Sequence, residues 1–254
     1  MQRVADSCVN WISNKFKEKE NFYIFCGNGN NGGGGFALAK IMYHNGFDIT
    51  VFLNENENFS KDAASNLKKI KQISGIDIFD FNDAATFNFK ENAVIIDAVF
   101  GTGLNRRTNK KEVDLITFLN GVKLPKVSID MPSGLLADQM ITDQTVIFKA
   151  DETLSFQFWK KTFLHPETGI YCGKVHILDI SLSEEFIQDE ITSDYVIDDL
   201  LIHRIYKTRS EFSHKGNFGK TTIIAGSFGR VGAAVLAVKA ALKSGSGLTF
   251  VHAP

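Results

Sequence analysis

The chain has 254 residues, with 28 lysines and arginines against 29 aspartates and glutamates and a formal net charge of −1. At 44% hydrophobic and 22% charged residues the composition is that of a globular protein with room for one large domain or two smaller ones, which excludes a disordered chain. A pI near 6.6 excludes the strongly basic surface of a nucleic-acid binder, and no apolar run approaches the roughly 18 residues of a membrane span. The first residues lack the apolar core of a signal peptide. Cys8, Cys26 and Cys172 form no CxxC and leave one thiol over in any disulfide scheme, which suits a reducing cytoplasm. The six histidines show no zinc-ligand spacing, and the 22 phenylalanines read as core filling.

Val4, Cys8, Trp11, Ile12 and Phe16 recur at helical spacing, so the chain opens on an amphipathic helix. An apolar strand over 22–26 runs into a nine-residue glycine-rich loop, Gly27 to Gly35, and a helix over 36–42 stops at Asn45-Gly46. A second strand covers 49–53. Ser60 is placed to cap a helix carrying Ala64, Leu67, Ile70 and Ile73 and ended by Gly75. Further strands are expected over 76–79, 93–96, 126–129, 153–156 and 174–178. Nearly continuous apolar strands alternating with helices predict an α/β fold, a Rossmann-like three-layer sandwich with a mostly parallel sheet. After an acidic stretch from Ser183 to about Asp199, a strand over 220–225, a loop over 226–232, a helix over 233–244 and a strand over 248–251 form one βαβ unit. Such a unit leaves open sheet edges, so it reads as the start of a second, incomplete α/β domain.

Three constellations carry chemistry. The glycine-rich turn between strand and helix lets backbone N–H groups approach a phosphate, and Gly27-x-Gly29-x-x-Gly32 fits the dinucleotide fingerprint. The acidic residue that this fingerprint wants at the end of the second strand is supplied only late, by Glu55. Asn30 and Asn31 inside the loop offer amide oxygens to a cation or hydrogen bonds to a sugar. Asp97 and Asp130 each end a central strand and open a turn, as Asp97-Ala98-Val99-Phe100-Gly101-Thr102-Gly103-Leu104 and Asp130-Met131-Pro132-Ser133-Gly134. Open α/β sheets bind ligands at that edge. Each aspartate taken alone is also a candidate cap for the turn that follows it.

These motifs together resemble the NAD(P)H-hydrate epimerase domain, also called the YjeF N-terminal domain. The resemblance covers about residues 1–182 and includes Ala150-Asp151-Glu152-Thr153 and Gly173-Lys174-Val175. Residues 183–193 then read as a linker. Ser213-His214-Lys215-Gly216-Asn217-Phe218-Gly219-Lys220 and Gly232-Ala233-Ala234-Val235 are similar to the opening of the NAD(P)H-hydrate dehydratase domain, a ribokinase-like fold, over 194–254. That order is the one of bifunctional repair proteins, which implies that this chain is a piece of a longer protein. In the family's terms Asp130 is the catalytic acid/base and also contacts substrate. Asn30, Asn31, Gly32, Gly33, Gly34, Gly101, Thr102, Gly103, Leu104, Asn105, Arg106 and Arg107 match segments that wrap it, with Ala233 its contact in the dehydratase part. Asn31, Asp97 and Ser133 match ligands of one potassium ion, whereas ADP or ATP and Mg2+ belong to the missing dehydratase part. The family's loop carries Asp where this chain has Gly34, which implies a weaker substrate site.

The implied substrate is NADH or NADPH hydrated beside the ring nitrogen, a hemiaminal. The nitrogen lone pair expels the hydroxyl, and water returning to the other face inverts the centre, so one group must protonate the departing oxygen and another activate the incoming water. An NAD-dependent oxidoreductase shares the glycine fingerprint but leaves the Asp97 and Asp130 turns without a use. A non-catalytic nucleotide-binding or scaffold role of the same domain is the second alternative, favoured by Gly34 and opposed by the retained Asn31, Asp97, Asp130 and Ser133. The expected partner is the small molecule alone, with no nucleic acid and no membrane; a homo-oligomer is left open.

Overall fold

The computed structural model describes residues 1–17, 21–54, 58–138 and 146–253. It divides into two compact units, Met1–Ser193 and Asp194–Pro254.

The first unit is built on a seven-stranded, wholly parallel sheet: β1 (Asn21–Cys26), β2 (Asp48–Leu53), β3 (Asp77–Asp80), β4 (Ala93–Ala98), β5 (Lys126–Ile129), β6 (Glu152–Phe156) and β7 (Lys174–Leu178). Their order across the sheet is β3-β2-β1-β4-β5-β6-β7. The α/β, Rossmann-like expectation therefore holds. The apolar runs of β1 and β4 have strands on both sides and helices on both faces, so nearly every residue in them is buried. The order reverses between β1 and β4, and the loops there part to leave a crevice. Register aligns Cys26 with Ala98, Asp97 with Ser128 and Ile129 with Leu154, so four strands end along one edge.

On one face lie α1 (Gln2–Lys15), α2 (Asn30–His44) and α3 (Lys61–Ile70). The other face carries α4 (Lys110–Gly121) and an aromatic layer. No helix fills the crossover from β3 to β4, only a 3-10 turn over Phe81–Thr86. Phe79, Phe81, Phe87 and Phe89 pack there against Tyr23, Phe25 and Phe52 in place of a helix, with Phe25 and Phe52 stacked at 4.6 Å and 8°. The phenylalanine excess is thus core filling, as composition indicates. Short α5 (Pro166–Gly169) and α6 (Glu184–Asp189) complete the unit.

Local signals explain most boundaries. Ser60 caps α3 by accepting the Ala63 N–H at 3.3 Å. The helix ends at Ile70, short of Gly75, and turns Ala63 rather than Ala64 inward. α4 was not expected, although Asn109 and Glu112 form a capping box at its start.

The largest correction concerns the glycines. The expected loop from Gly27 to Gly35 is a loop of 27–29 only, and Gly32 to Gly35 form the first turns of α2. Four helical glycines cost roughly 4 kcal/mol of helix propensity against alanine. Close approach explains their use: a Cβ on Gly32 would lie 1.7 Å from the Gly27 carbonyl oxygen, and one on Gly35 2.6 Å from Cys26 Sγ. Only bare backbone lets α2 sit this close to β1 and β4. Gly34 differs: it has helical backbone with a negative φ, and a Cβ there would meet nothing within 4 Å.

The second unit has α7 (Asp199–Ile205), β8 (Lys220–Ile224), α8 (Gly232–Lys243) and β9 (Leu248–His252), with β8 and β9 paired in parallel. Ile224, Leu236, Phe250 and Val251 are exposed on it. No helix among the described residues is long and apolar enough to cross a membrane.

The glycine contacts predict opposite outcomes for two neighbouring alanines. Gly32→Ala should lower the unfolding midpoint in urea sharply, because its methyl meets backbone. Gly34→Ala should raise stability by about 0.5–1 kcal/mol. Equal midpoints for the two variants would contradict the packing reason for the glycine run.

Candidate active site

The crevice at the β1/β4 reversal holds a cavity of ≈ 520 Å3. The N-terminus of α2 forms one wall, through Asn28, Gly29, Asn30, Asn31 and Gly34. Gly29 provides no side-chain cap and the first turn has no acidic residue, so the free N–H groups and the positive end of the helix dipole face the cavity. That end suits an anion such as a phosphate. Ser60 N–H donates to the Asn28 carbonyl at 2.9 Å and Ser60 Oγ to Asn30 Oδ1 at 3.1 Å, tying the short loop to the start of α3. Glu55, the late candidate for a ribose contact, lies outside the described residues.

The turn after β4 forms the opposite wall, from Val99 to Arg106. Of the residues expected at substrate, Asn30, Asn31, Gly34, Gly101, Thr102, Gly103, Leu104, Asn105, Arg106 and Asp130 line this one cavity. Gly32, Gly33 and Arg107 lie off its lining, and Ala233 belongs to α8 of the second unit. Arg106 is already engaged: its guanidinium makes a two-pronged pair with Glu112 at 2.9 and 2.6 Å and sits 5.5 Å over the Phe100 ring. Glu112 is the buried member of the α4 capping box, so the arginine is held against that helix start.

Asp97 is buried beneath the wall and accepts four hydrogen bonds. Ser133 Oγ donates to Oδ1 at 2.5 Å, Ser133 N–H to Oδ2 at 2.8 Å, Ser128 Oγ to Oδ2 at 3.2 Å and Val99 N–H to Oδ1 at 3.2 Å. Burial pushes its carboxyl up to about 6, against the opposing pull of the Ser133, Val99 and Ser128 hydrogen bonds. Ser133 Oγ also accepts the Phe100 N–H at 2.9 Å. Asn31 donates both amide protons, to the carbonyls of Phe100 at 2.8 Å and Ile129 at 3.1 Å, which leaves Oδ1 as its acceptor atom. Asn31, Asp97 and Ser133 thus belong to one connected network. Its donors are all oxygen and carry a single negative charge, which fits a large monovalent cation. Among the described residues no group of three or more His, Cys, Asp and Glu gathers as metal ligands.

Asp130 stands at the end of β5 with φ 68°, a left-handed conformation that costs a non-glycine residue of order 1 kcal/mol or more. Its own N–H still donates to the Leu154 carbonyl at 2.8 Å, so the backbone reverses abruptly at the sheet edge and the carboxylate borders the cavity. Oδ2 accepts the Thr102 N–H at 2.8 Å.

Sequence reasoning missed four residues here. Met1 and Val4 of α1 and Phe156 at the end of β6 add apolar surface to the cavity. α1 is held in place by Arg3, which donates to the Ser181 carbonyl at 2.6 Å, and by Ser7, which donates to that of Asp179 at 3.1 Å. Lys160 follows β6 and brings its ammonium 3.5 Å from Asp130 Oδ1. Its signal was the strand end over 153–156, a fourth one along the same edge. The cysteines take no part: burial first, then the charge of Asp130 for Cys8 and of Asp97 for Cys26, pushes both thiols well up and keeps them neutral.

Comparison with known proteins agrees with this arrangement. Residues 1–162 match the family described as YjeF-related protein N-terminus. A Dictyoglomus turgidum protein named bifunctional NAD(P)H-hydrate repair enzyme Nnr is 32% identical over 266 residues, covering 100% of this chain and 50% of that protein. Proteins of the same name from Coxiella burnetii and Escherichia coli K12 are each 29% identical, over 99% of this chain and 51% and 48% of their own lengths. The chain therefore spans about half the length of the curated relatives it matches. The crystal structure of yeast ynu0, YNL200c, shares the fold with a TM-score of 0.58 at 15% identity, over 84% of this chain and 86% of that one. A parallel sheet with its crevice at the β1/β4 reversal, Asp97 and Asp130 at adjacent strand ends, and a family match over 162 residues lead to one conclusion: the chain belongs to the YjeF-related protein N-terminus family.

Proposed function

We propose that this chain epimerises hydrated NADH and NADPH, interconverting the R and S forms as the isomerase half of a nicotinamide-nucleotide repair enzyme. The observation that carries this reading is Asp130, an ionisable carboxylate bordering a cavity whose facing wall is a helix N-terminus. The names of the relatives support it. The dinucleotide's pyrophosphate pairs with the free N–H groups of α2, and the apolar patch from Met1, Val4 and Phe156 receives the hydrated ring.

The chemistry needs little beyond protons. As the ring nitrogen expels the hydroxyl, the Asp130 carboxylate takes a proton from the water entering on its side of the ring, while solvent gives a proton to the oxygen departing from the opposite face. Asn31, Asp97 and Ser133 are the residues that would hold a potassium ion, whose charge would order the two turns and favour the substrate's anionic groups. Relatives twice as long and named bifunctional support a longer parent with a second activity; that it dehydrates the S form with ADP or ATP and Mg2+, with Ala233 as a substrate contact, is part of the same proposal.

Three outcomes test this reading. Asp130→Asn should slow chromatographically followed epimer exchange by about a hundredfold or more while the protein stays folded. Full rate in that variant would overturn the acid/base role of Asp130. Potassium chloride should raise the melting temperature over an equal concentration of choline chloride at pH 7.5. The rise should fade as pH falls through about 6, because Asp97 must be ionised to hold a cation and protonates there. Potassium stabilisation that survives at pH 5 would remove Asp97 from the ligand set. Finally, Gly34 lines the cavity at a negative φ with open space before it, so Gly34→Asp is sterically allowed. It should tighten NADP+ binding measured by calorimetry about tenfold or more, the worth of one charged hydrogen bond. Unchanged or weaker binding would mean that glycine is neutral at this position.

A further inference from the structure

We propose that Lys160 is a positioning residue for Asp130, holding its carboxylate aimed so that it can exchange protons with the substrate. The proposal rests on the epimerase reading above. Lys160 is off the cavity lining, so it acts through Asp130 rather than on substrate.

The local fold is shaped to deliver this ammonium. Gln157 takes φ 59°, and its N–H donates to the Leu178 carbonyl at 2.9 Å, while its side chain accepts the Ile180 N–H at 3.2 Å. The chain thereby reverses over the end of its own strand and sends Lys160 back to β6. Its Nζ donates to Ser155 Oγ at 2.6 Å and to the Phe156 carbonyl at 3.1 Å. Two of three ammonium protons are fixed by neutral oxygens, and the third side faces Asp130 Oδ1 at 3.5 Å. The two side chains are only 16% and 15% exposed, so this pair is far less screened than a surface ion pair. With the Thr102 N–H on Oδ2 and the ammonium beside Oδ1, each carboxylate oxygen has a fixed donor partner.

The groups facing this pair are few. Asp130 is the charge that acts on Lys160, and the Cys8 thiol of α1, which also feels Asp130, stays neutral. Burial holds the ammonium below the usual lysine range, with Asp130 pulling the other way. The cation is therefore lost at a lower pH than that of a free lysine, and Asp130 loses its partner with it. Epimerase rate should accordingly fall on the alkaline side.

The experiment compares wild type, Lys160→Met, Lys160→Arg and Ser155→Ala for kcat, KM, pH profile and melting temperature. Wild type must first epimerise; an inactive wild type overturns the epimerase reading itself. Given activity, Lys160→Met should lose about a hundredfold in kcat with KM within threefold, and should lack the alkaline limb. Lys160→Arg, which stays charged, should recover at least tenfold of that loss and hold its rate to higher pH than wild type. Ser155→Ala loosens one anchor and should cost roughly threefold to tenfold in kcat. The proposal is overturned if Lys160→Met keeps its kcat, or if its kcat falls while the alkaline limb remains. Should Lys160→Met fail to fold, an alkaline limb in Lys160→Arg identical to that of wild type overturns it equally.

Discussion

One buried carboxylate holds the working edge of this sheet together. Asp97 sits at the end of β4 and draws in Ser128 from β5, Ser133 from the turn after β5 and the Val99 N–H from the turn after β4. Hydrogen bonds to a charged group are worth roughly 1.5–3 kcal/mol each, so four of them fix the relation of the two turns more firmly than apolar packing at a sheet edge would. Burial nevertheless pushes the group up to about 6, a sign that the donors do not fully replace water. A cation held beside it would relieve that cost, which is the physical reason to expect one. Asn31 extends the same constraint to the third element, since its amide spans a carbonyl of the turn after β4 and one at the end of β5 and carries the start of α2 with it.

The cavity is a consequence of how closely α2 is drawn in. Gly27 and Gly32 meet backbone to backbone, so the helix starts almost against the strand that precedes it, and its free N–H groups look straight across at the turn after β4. Asp130 then closes the third side, in a backbone conformation that no local preference favours. Strain at one residue, bare backbone at another and a partly compensated buried charge at a third all fall within a single crevice. Elsewhere in the first unit, left-handed Gln157 and Ser181 follow β6 and β7, while α3 and α4 are capped and phenylalanines pack the core. Concentrated exceptions of this kind are what a site, rather than a scaffold, produces.

Much of this was legible in the sequence because it depends on short-range pattern. Parallel strands read as apolar runs, and Asp97 and Asp130 stand out because each ends such a run and opens a glycine-containing turn. What was illegible depends on distance in space. The glycines of α2 suggest a loop because intrinsic propensity argues against a helix, and only the tertiary approach to Gly27 and Cys26 reverses that preference. Lys160 lies 30 positions from Asp130 in the sequence; the strand end over 153–156 marks its neighbourhood, but the left-handed turn at Gln157 that brings its ammonium back to that end is a tertiary feature. Met1 and Val4 reach the cavity only because α1 docks beside β7 through Arg3 and Ser7. The Arg106 pairing with Glu112 was likewise hidden, since α4 itself was missed.

The proposed reaction is tested most directly by running epimerisation in water enriched in oxygen-18. Expulsion and return of the hydroxyl requires each inverted centre to take its oxygen from solvent. Mass spectrometry should therefore find one heavy oxygen in newly formed R or S hydrate, at a rate matching the appearance of that epimer and far above the enzyme-free control. Interconversion of the epimers with the original oxygen retained would contradict hydroxyl exchange at this strand edge.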